Sequence, residues 1–202
     1  METQSSGNDP GGPIRHEDRS QLLGQNGLVV WFTGLSGSGK TTIAQEVERM
    51  LFSRGRLSYI LDGDALRQGL NAGLGFSEED RTENIRRAAH VARLFQDAGI
   101  IALACFISPR IAMRDMARQI VSPARFLEVY VKAGLETCMA RDPKGQYRQA
   151  LEGKIRDYTG LSREQSYEIP LQPDLELDTE QRTAAECARM VVDEIFKNEP
   201  PR

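Results

Sequence analysis

The sequence predicts an α/β fold in three layers: a mainly parallel five-stranded sheet with helices on both faces and a mobile lid. Three observations carry this. Short apolar runs alternate with stretches of helical periodicity, the pattern of β and α units wound into one parallel sheet. The first run passes through a glycine-rich loop into a helix. Late in the chain, residues 141–170 break the rhythm, being polar, rich in Arg, Lys and Gly, and poor in core residues, as a lid would be.

The opening stretch, METQSSGNDPGGPIRHEDRS, has Gly, Pro, Ser and charge but no apolar segment of a targeting peptide. It reads as a flexible arm to about Asn26, with one domain over residues 27–198. The first strand is LVVWFT, Leu28–Thr33, apolar throughout and therefore buried on both faces. After the glycine loop, Ile43, Val47, Met50 and Leu51 recur at helical spacing. Ser58–Leu61 is the second strand. A helix follows, with Ser77 and Asp80 as its start cap, Gly99 as its stop, and Ile85, Ala88, Ala92 and Phe95 along one face. Ile100–Ile107 is the third strand, and Ser108 before Pro109 reads as an N-cap with proline at the first helical position. Phe126–Val131 and Leu175–Leu177 complete the sheet. Thr183 and Glu186 form a capping box ahead of the stripe Ala184, Ala188, Val191 and Ile195.

Composition narrows the function. The 202 residues are 40% hydrophobic and 27% charged, which suits one globular domain. A net charge of −3 offers no broad basic surface to nucleic acid, so an anionic substrate must be met by a local group of arginines. Cys105, Cys138 and Cys187 are too widely spaced for a metal pattern or a disulfide framework, and read as core thiols of a reducing, cytoplasmic compartment. His16 and His90 are isolated and form no metal site. No apolar run approaches the length of a membrane span.

The chemistry is concentrated in GLSGSGKTT, residues 34–42, which fits G-x-x-x-x-G-K-[ST] at Gly34, Gly39, Lys40 and Thr41. Between a strand and a helix, such a loop wraps phosphate oxygens with backbone N–H groups and adds the positive end of the helix dipole. Gly34, Leu35, Ser36, Gly37, Ser38, Gly39, Lys40, Thr41 and Thr42 are thus the nucleotide-binding set. Lys40 reaches the β- and γ-phosphates and the Thr41 hydroxyl ligates Mg²⁺. The second strand ends in LDGDALR, which places Asp62 and Asp64 at the carboxyl edge of the sheet, where ligands of open α/β folds sit. A carboxylate there can accept a proton from a hydroxyl or hold a metal-bound water; DGD is equally a tight turn. Arg67 can pair with an anion, and Phe76, at a loop tip, can stack on a base. Arg81 and Asn84 share a face near a helix start. Ser108 has no histidine in any sequence signature with it that would make it a nucleophile.

Taken in order, GLSGSGKTT, LDGDALRQGLNAGLGFSEEDRTENIRR, FISP, RDPKGQY and YTG closely resemble the adenylylsulfate (APS) kinase family, over roughly Gly27 to Glu168. The resemblance implies a P-loop kinase fold and transfer of the ATP γ-phosphate to the 3′-hydroxyl of APS, giving PAPS (3′-phosphoadenylyl sulfate) and ADP. It implies an APS pocket of Asp64, Arg67, Phe76, Arg81, Asn84, Ile107, Ser108, Lys144 and Tyr158. Phe76 and Tyr158 would sandwich the APS adenine, and Arg67 and Arg81 would meet its phosphate and sulfate. Arg141 would lie against the ATP adenine. Lys40 and Asp62 are the implied catalytic residues, with Ser108 as the position of a phosphoserine sometimes ascribed to the family. A homodimer, and functional pairing with an ATP sulfurylase, are implied as well. The chain departs from the family pattern at Gln146, Tyr158, Met139 and the longer stretch LSREQSYE, all in or near the lid. Another small-molecule P-loop kinase would leave the acceptor motifs unexplained, a silent nucleotide-binding domain would leave Lys40, Thr41, Asp62 and Asp64 without a purpose, and no guanine-reading N-K-x-D stretch marks a GTPase.

Overall fold

The computed structural model describes residues 12–153, 159–161 and 166–197. Helix α1 (His16–Leu23) comes first, followed by β1 (Leu28–Thr33), α2 (Lys40–Ser53), β2 (Ser58–Asp62), α3 (Gly63–Gln68) and α4 (Glu78–Asp97). The chain continues through β3 (Ile101–Cys105), α5 (Ile111–Val121), β4 (Phe126–Lys132), α6 (Leu135–Arg141), α7 (Gln146–Leu151), β5 (Leu175–Asp178) and α8 (Ala184–Phe196). The strands form one parallel sheet in the order β2-β3-β1-β4-β5. All strands predicted from the apolar runs are present. The third is shorter than expected: it ends at Cys105, and Phe106 keeps only a backbone bond to Phe32.

Strand β1 is buried at every position because it faces a helical layer on each side. Leu28, Val30 and Phe32 pack against α2 and α8, through Ile43, Val47, Leu51, Ala188, Val191 and Ile195. Val29 and Trp31 face α4 and α5, through Ile85, Ala88, Ala92, Met113 and Ala117. Trp31 stacks between Phe106 and Phe126, with ring centroids 5.1 and 5.9 Å away. The caps read from sequence are formed: Ser77 Oγ accepts the Asp80 N–H at 3.1 Å, and Thr183 and Glu186 make the reciprocal box. All three cysteines are buried free thiols.

Two stretches differ from expectation. Part of the anticipated arm is the helix α1, whose Gly24 terminus turns the chain so that Gln25 enters the structure. The Gln25 side chain donates to the carbonyls of Leu57 (2.9 Å) and Gly99 (2.7 Å) and accepts the Leu57 N–H, tying together the residues that precede β2 and β3. Nothing in the polar composition of the arm signals this, because its anchors are isolated polar contacts: the buried Gln25, the Arg56 guanidinium on the Gly24 carbonyl, and Arg19 paired with Asp97. Within the polar break, Tyr147 is buried against Ala133 and Cys138, with Leu35, Leu135, Met139 and Leu161 packed around them. The break is therefore anchored by Tyr147 and Leu161, which join a small core whose other members come from the phosphate loop and from the residues just before the break. Met139, a departure from the family pattern, lies in that core.

Candidate active site

The loop between β1 and α2 is pressed against its neighbours. A Cβ on Gly34 (φ 149°) would lie 2.4 Å from the Val131 carbonyl oxygen, and one on Gly37 (φ 76°) 2.8 Å from that of Cys138. Both obstacles are backbone, so a larger residue cannot be accommodated by moving a side chain. The opposite side of the loop, Ser36 through Thr42, lines a cavity of about 740 Å³ at the carboxyl edge of the sheet. Lys40 curls back over the loop, donating to the carbonyls of Gly34 (2.9 Å) and Leu35 (2.7 Å). Burial pushes its ammonium down to a pKa of about 8, since little water is left to solvate the charge. Ser38 Oγ is buried with no hydrogen-bond partner, an orphan polar atom inside a loop built for an anion.

Asp62 serves two neighbours at once. Its Oδ1 caps α3, accepting the N–H groups of Asp64 (2.9 Å) and Ala65 (3.4 Å), while Oδ2 accepts the Thr41 hydroxyl at 2.8 Å. The turn reading of DGD is realised through Oδ1, while Oδ2 faces the Thr41 hydroxyl that follows the loop lysine. Asp64 forms an ion pair with Lys144 across the cavity mouth.

The far wall is assembled from α3, α4 and the loop between them. Phe76 is 49% exposed, its ring flanked by the guanidiniums of Arg67 (4.4 Å) and Arg81 (5.7 Å). Arg67 also donates to the carbonyls of Leu74 (3.0 Å) and Gly75 (2.9 Å), so it braces the loop that presents Phe76. Arg81 donates to the Phe76 carbonyl (2.8 Å) and to Thr159 Oγ1 (2.7 Å). Asn84 is buried and accepts from Asn71 at 2.9 Å.

Ser108 requires a correction. It does not cap α5: the cap position is Arg110, and the Ile111 N–H is satisfied by the Glu168 carboxylate at 2.7 Å. Ser108 instead adopts a left-handed backbone (φ 39°), and its side chain turns inward to Thr33 and Trp31. The local Ser-Pro signal is real, but a distant glutamate satisfies the helix start.

Among the residues singled out from sequence, Ser36 to Thr42, Asp62, Asp64, Arg67, Phe76, Arg81, Asn84, Ile107, Ser108, Arg141 and Lys144 line this cavity. Gly34 and Leu35 stand behind it, Leu35 in the small core with Tyr147. Tyr158 lies outside the described residues. Thr179, Arg182, Gln45 and Thr159 also line the cavity and were not expected. Thr179 is the most connected of them: its hydroxyl lies 3.1 Å from the Ser38 carbonyl, and it holds Arg141 through hydroxyl and carbonyl, each at 2.9 Å. A single threonine after a short strand belongs to no pattern; only its place beyond the carboxyl end of β5 could have drawn attention to it.

A parallel sheet with this glycine loop, its lysine and threonine in one chamber with an arginine-flanked aromatic wall, defines a P-loop kinase of small molecules. The chain belongs to the adenylylsulphate kinase family, whose model matches residues 26–178. An adenylyl-sulfate kinase of Clostridium kluyveri is 50% identical over 180 residues, covering 89% of each chain. One from Geotalea uraniireducens is 56% identical over 156 residues, 77% of this chain and 74% of its own. The Mycobacterium tuberculosis APS kinase, solved in complex with AMPPNP and APS, aligns with a TM-score of 0.81 at 46% identity, over 85% of this chain and 98% of that one.

Proposed function

We propose that this protein transfers the γ-phosphoryl group of ATP to the 3′-hydroxyl of APS, releasing PAPS and ADP. One observation carries the reading: the phosphate loop and the wall of Phe76, Arg81, Asn84 and Ile107 line a single cavity, so donor and acceptor share one chamber. Phosphoryl transfer asks the protein for positioning and charge stabilisation more than covalent chemistry, and these residues supply both. Lys40 can swing from the loop carbonyls to the β/γ-phosphates, exchanging two neutral acceptors for anionic ones. Arg141, braced by Thr179, lies against the ATP adenine, and Phe76 stacks on the APS adenine with Tyr158 opposite. Arg67 and Arg81, already beside Phe76, meet the phosphate and sulfate of APS. Asp62 orients the 3′-hydroxyl and accepts its proton, or holds a water of the metal shell.

The residues fit Mg²⁺. Thr41 and Asp62 present hard oxygen donors 2.8 Å apart, and among the described residues no group of three or more His, Cys, Asp or Glu could hold a metal. So sparse a protein donor set suits an ion that keeps its waters and takes substrate phosphates as ligands. Bound there, Mg²⁺ would neutralise charge on the phosphate oxygens. We read residues about 141–170 as the lid, residues 27–198 as the domain, and the working unit as a cytoplasmic homodimer supplied with APS by an ATP sulfurylase. The buried free thiols support a reducing compartment. A coupled assay for ADP release, run with and without APS, tests the function. APS-dependent release with formation of PAPS is expected; release that ignores APS would overturn the reading.

A further inference from the structure

Four side chains meet where β1 runs into the phosphate loop. Thr33, the last residue of β1, has its hydroxyl 2.8 Å from the Ile107 carbonyl, 2.9 Å from Ser108 Oγ and 2.8 Å from the Tyr167 hydroxyl. The Trp31 indole nitrogen lies 3.1 Å from Ser108 Oγ. Proton counting fixes every direction. An indole N–H only donates and a carbonyl only accepts, so Trp31 donates to Ser108 and Thr33 donates to Ile107. The one proton of Thr33 is then used, and Ser108 and Tyr167 must both donate to it. Thr33 and Ser108 are buried, and Thr33 is saturated with one bond given and two received.

Tyr167 reaches this hub from far along the chain, and its ring is held firmly. The ring stacks on Tyr130 (centroids 6.0 Å apart), with the Arg114 guanidinium 5.6 Å from its centre. Arg114 itself is buried in an ion pair with Glu128 at 2.8 Å, and donates to the carbonyls of Ser108 and Glu168 at 2.8 Å each. The Glu168 N–H bonds the Pro109 carbonyl, also at 2.8 Å. Tyr167 and Glu168 therefore clasp residues 107–111, the connection that includes the strained left-handed Ser108. A strained residue persists only where its surroundings over-determine it, and such positions concentrate at functional sites. Ile107 and Ser108 form part of the cavity wall. Burial pushes the Tyr167 hydroxyl pKa up, so it keeps its proton, and remains a donor, throughout the working pH range.

We propose that Tyr167 is a positioning residue for the acceptor: its hydroxyl, acting through Thr33, fixes the Ile107–Ser108 wall and so sets how tightly the acceptor nucleotide is held, independently of ATP. This role rests on the acceptor reading given above. Tyr167→Phe keeps the ring, its stacking on Tyr130 and its contact with Arg114, and removes only the O–H. In the full-length protein, steady-state kinetics should show KM for APS raised about three- to tenfold, the range set by one net hydrogen bond, while KM for ATP stays within about twofold. Thr33→Val, which removes the hub, should raise KM for APS at least as much. The double variant should do no more than Thr33→Val alone, since Tyr167 acts only through Thr33. A merely structural tyrosine would lower the melting temperature and the active fraction, and leave both KM values where they were. Equal movement of both KM values, no movement of either, or multiplying effects in the double variant would overturn the role. Phe76→Ala separates the two failures. It should weaken APS about ten- to a hundredfold by loss of one base–aromatic stack. If it does so while Tyr167→Phe does not discriminate, only the Tyr167 role falls; if Phe76→Ala also leaves APS unaffected, the acceptor reading falls with it.

Discussion

The two ends of the cavity are built in opposite ways. The phosphate end is one contiguous loop, shaped by backbone: glycines pressed on the carbonyls of Val131 and Cys138, and Lys40 bonded to carbonyls of its own loop. The acceptor end has no contiguous core. Phe76 is placed by arginines from α3 and α4, Arg81 is tied to Thr159, and Ser108 is gripped by Thr33 and Arg114, with Glu168 next to the loop. The difference teaches where tolerance lies. On the proposed function the loop would bind phosphate with main-chain groups and depend on a few irreplaceable positions, whereas the acceptor wall distributes its geometry over many side-chain contacts and should degrade by steps.

Lys40→Ala is the severest test of the phosphate end. Removing an ammonium that stabilises charge in the transition state should cost on the order of 10²–10³ in kcat. APS affinity, measured by titration in the presence of ADP, should change little. Near-normal turnover would break the assignment of the loop. Asp62→Asn probes the seam between the two ends. Asparagine is nearly isosteric and remains a good N-cap, so α3 should form normally. It cannot accept a proton, and kcat should fall about 100-fold, the lower bound for a positioned general base. A variant with unchanged kcat would reduce Asp62 to a cap for α3.

The same contrast explains what could be read from the sequence. The phosphate loop was legible because nine neighbouring residues, flanked by an apolar strand and an amphipathic helix, carry the whole device. The caps at Ser77 and Thr183 were legible for the same reason: partner and cap are three residues apart. Asp62 could be located by the rule that chemistry gathers at the carboxyl ends of strands. Where a partner lies far along the chain, the reading failed or stayed silent. Ser108 before Pro109 has the local signature of a cap, yet Glu168 supplies it. Gln25 and Thr179 are single polar residues without periodicity or motif, and Tyr167 stands out only as part of LSREQSYE, a departure from the family pattern; only the folded chain shows what each one joins.

Burial of Lys40 adds a pH dependence to the phosphate end. In the protein alone its pKa is about 8, below the ordinary 10.5. The unfolded chain therefore holds more protons between these values, and the contribution of Lys40 to stability rises with pH across that window. A bound triphosphate has the opposite effect, because its charge favours the ammonium. ATP binding should take up a proton above pH 8, and affinity should fall about tenfold from roughly pH 7 to 9. Calorimetry in two buffers of different ionisation heat reads the uptake directly. If none is seen and affinity is flat, Lys40 keeps its charge in the empty loop. APS affinity should not follow this curve, which would set the two ends apart again.

The smallest effect on the chemistry is expected from Ser108→Ala, and it bears most directly on how the acceptor end works. The Ser108 proton is donated to Thr33, and Thr33 already receives Tyr167 and gives its own proton to Ile107. No base faces the hydroxyl within this network, and the serine oxygen accepts from Trp31. A serine so bonded is a structural hub rather than a relay for phosphate. Alanine leaves the Trp31 N–H buried without an acceptor, which should cost about 1–3 kcal/mol, or roughly 2–12 °C in Tm for a chain of this size. PAPS should still form, with kcat within about tenfold of the parent and KM for APS raised by the loosened wall. Quench-flow with γ-labelled ATP decides between hub and relay. A phosphoprotein that forms before APS is added, discharges onto APS at the turnover rate and is missing in Ser108→Ala would make Ser108 the nucleophile. Labelled PAPS appearing from both proteins with no labelled protein at any time leaves the transfer direct, with Ser108 holding the wall against which the acceptor lies.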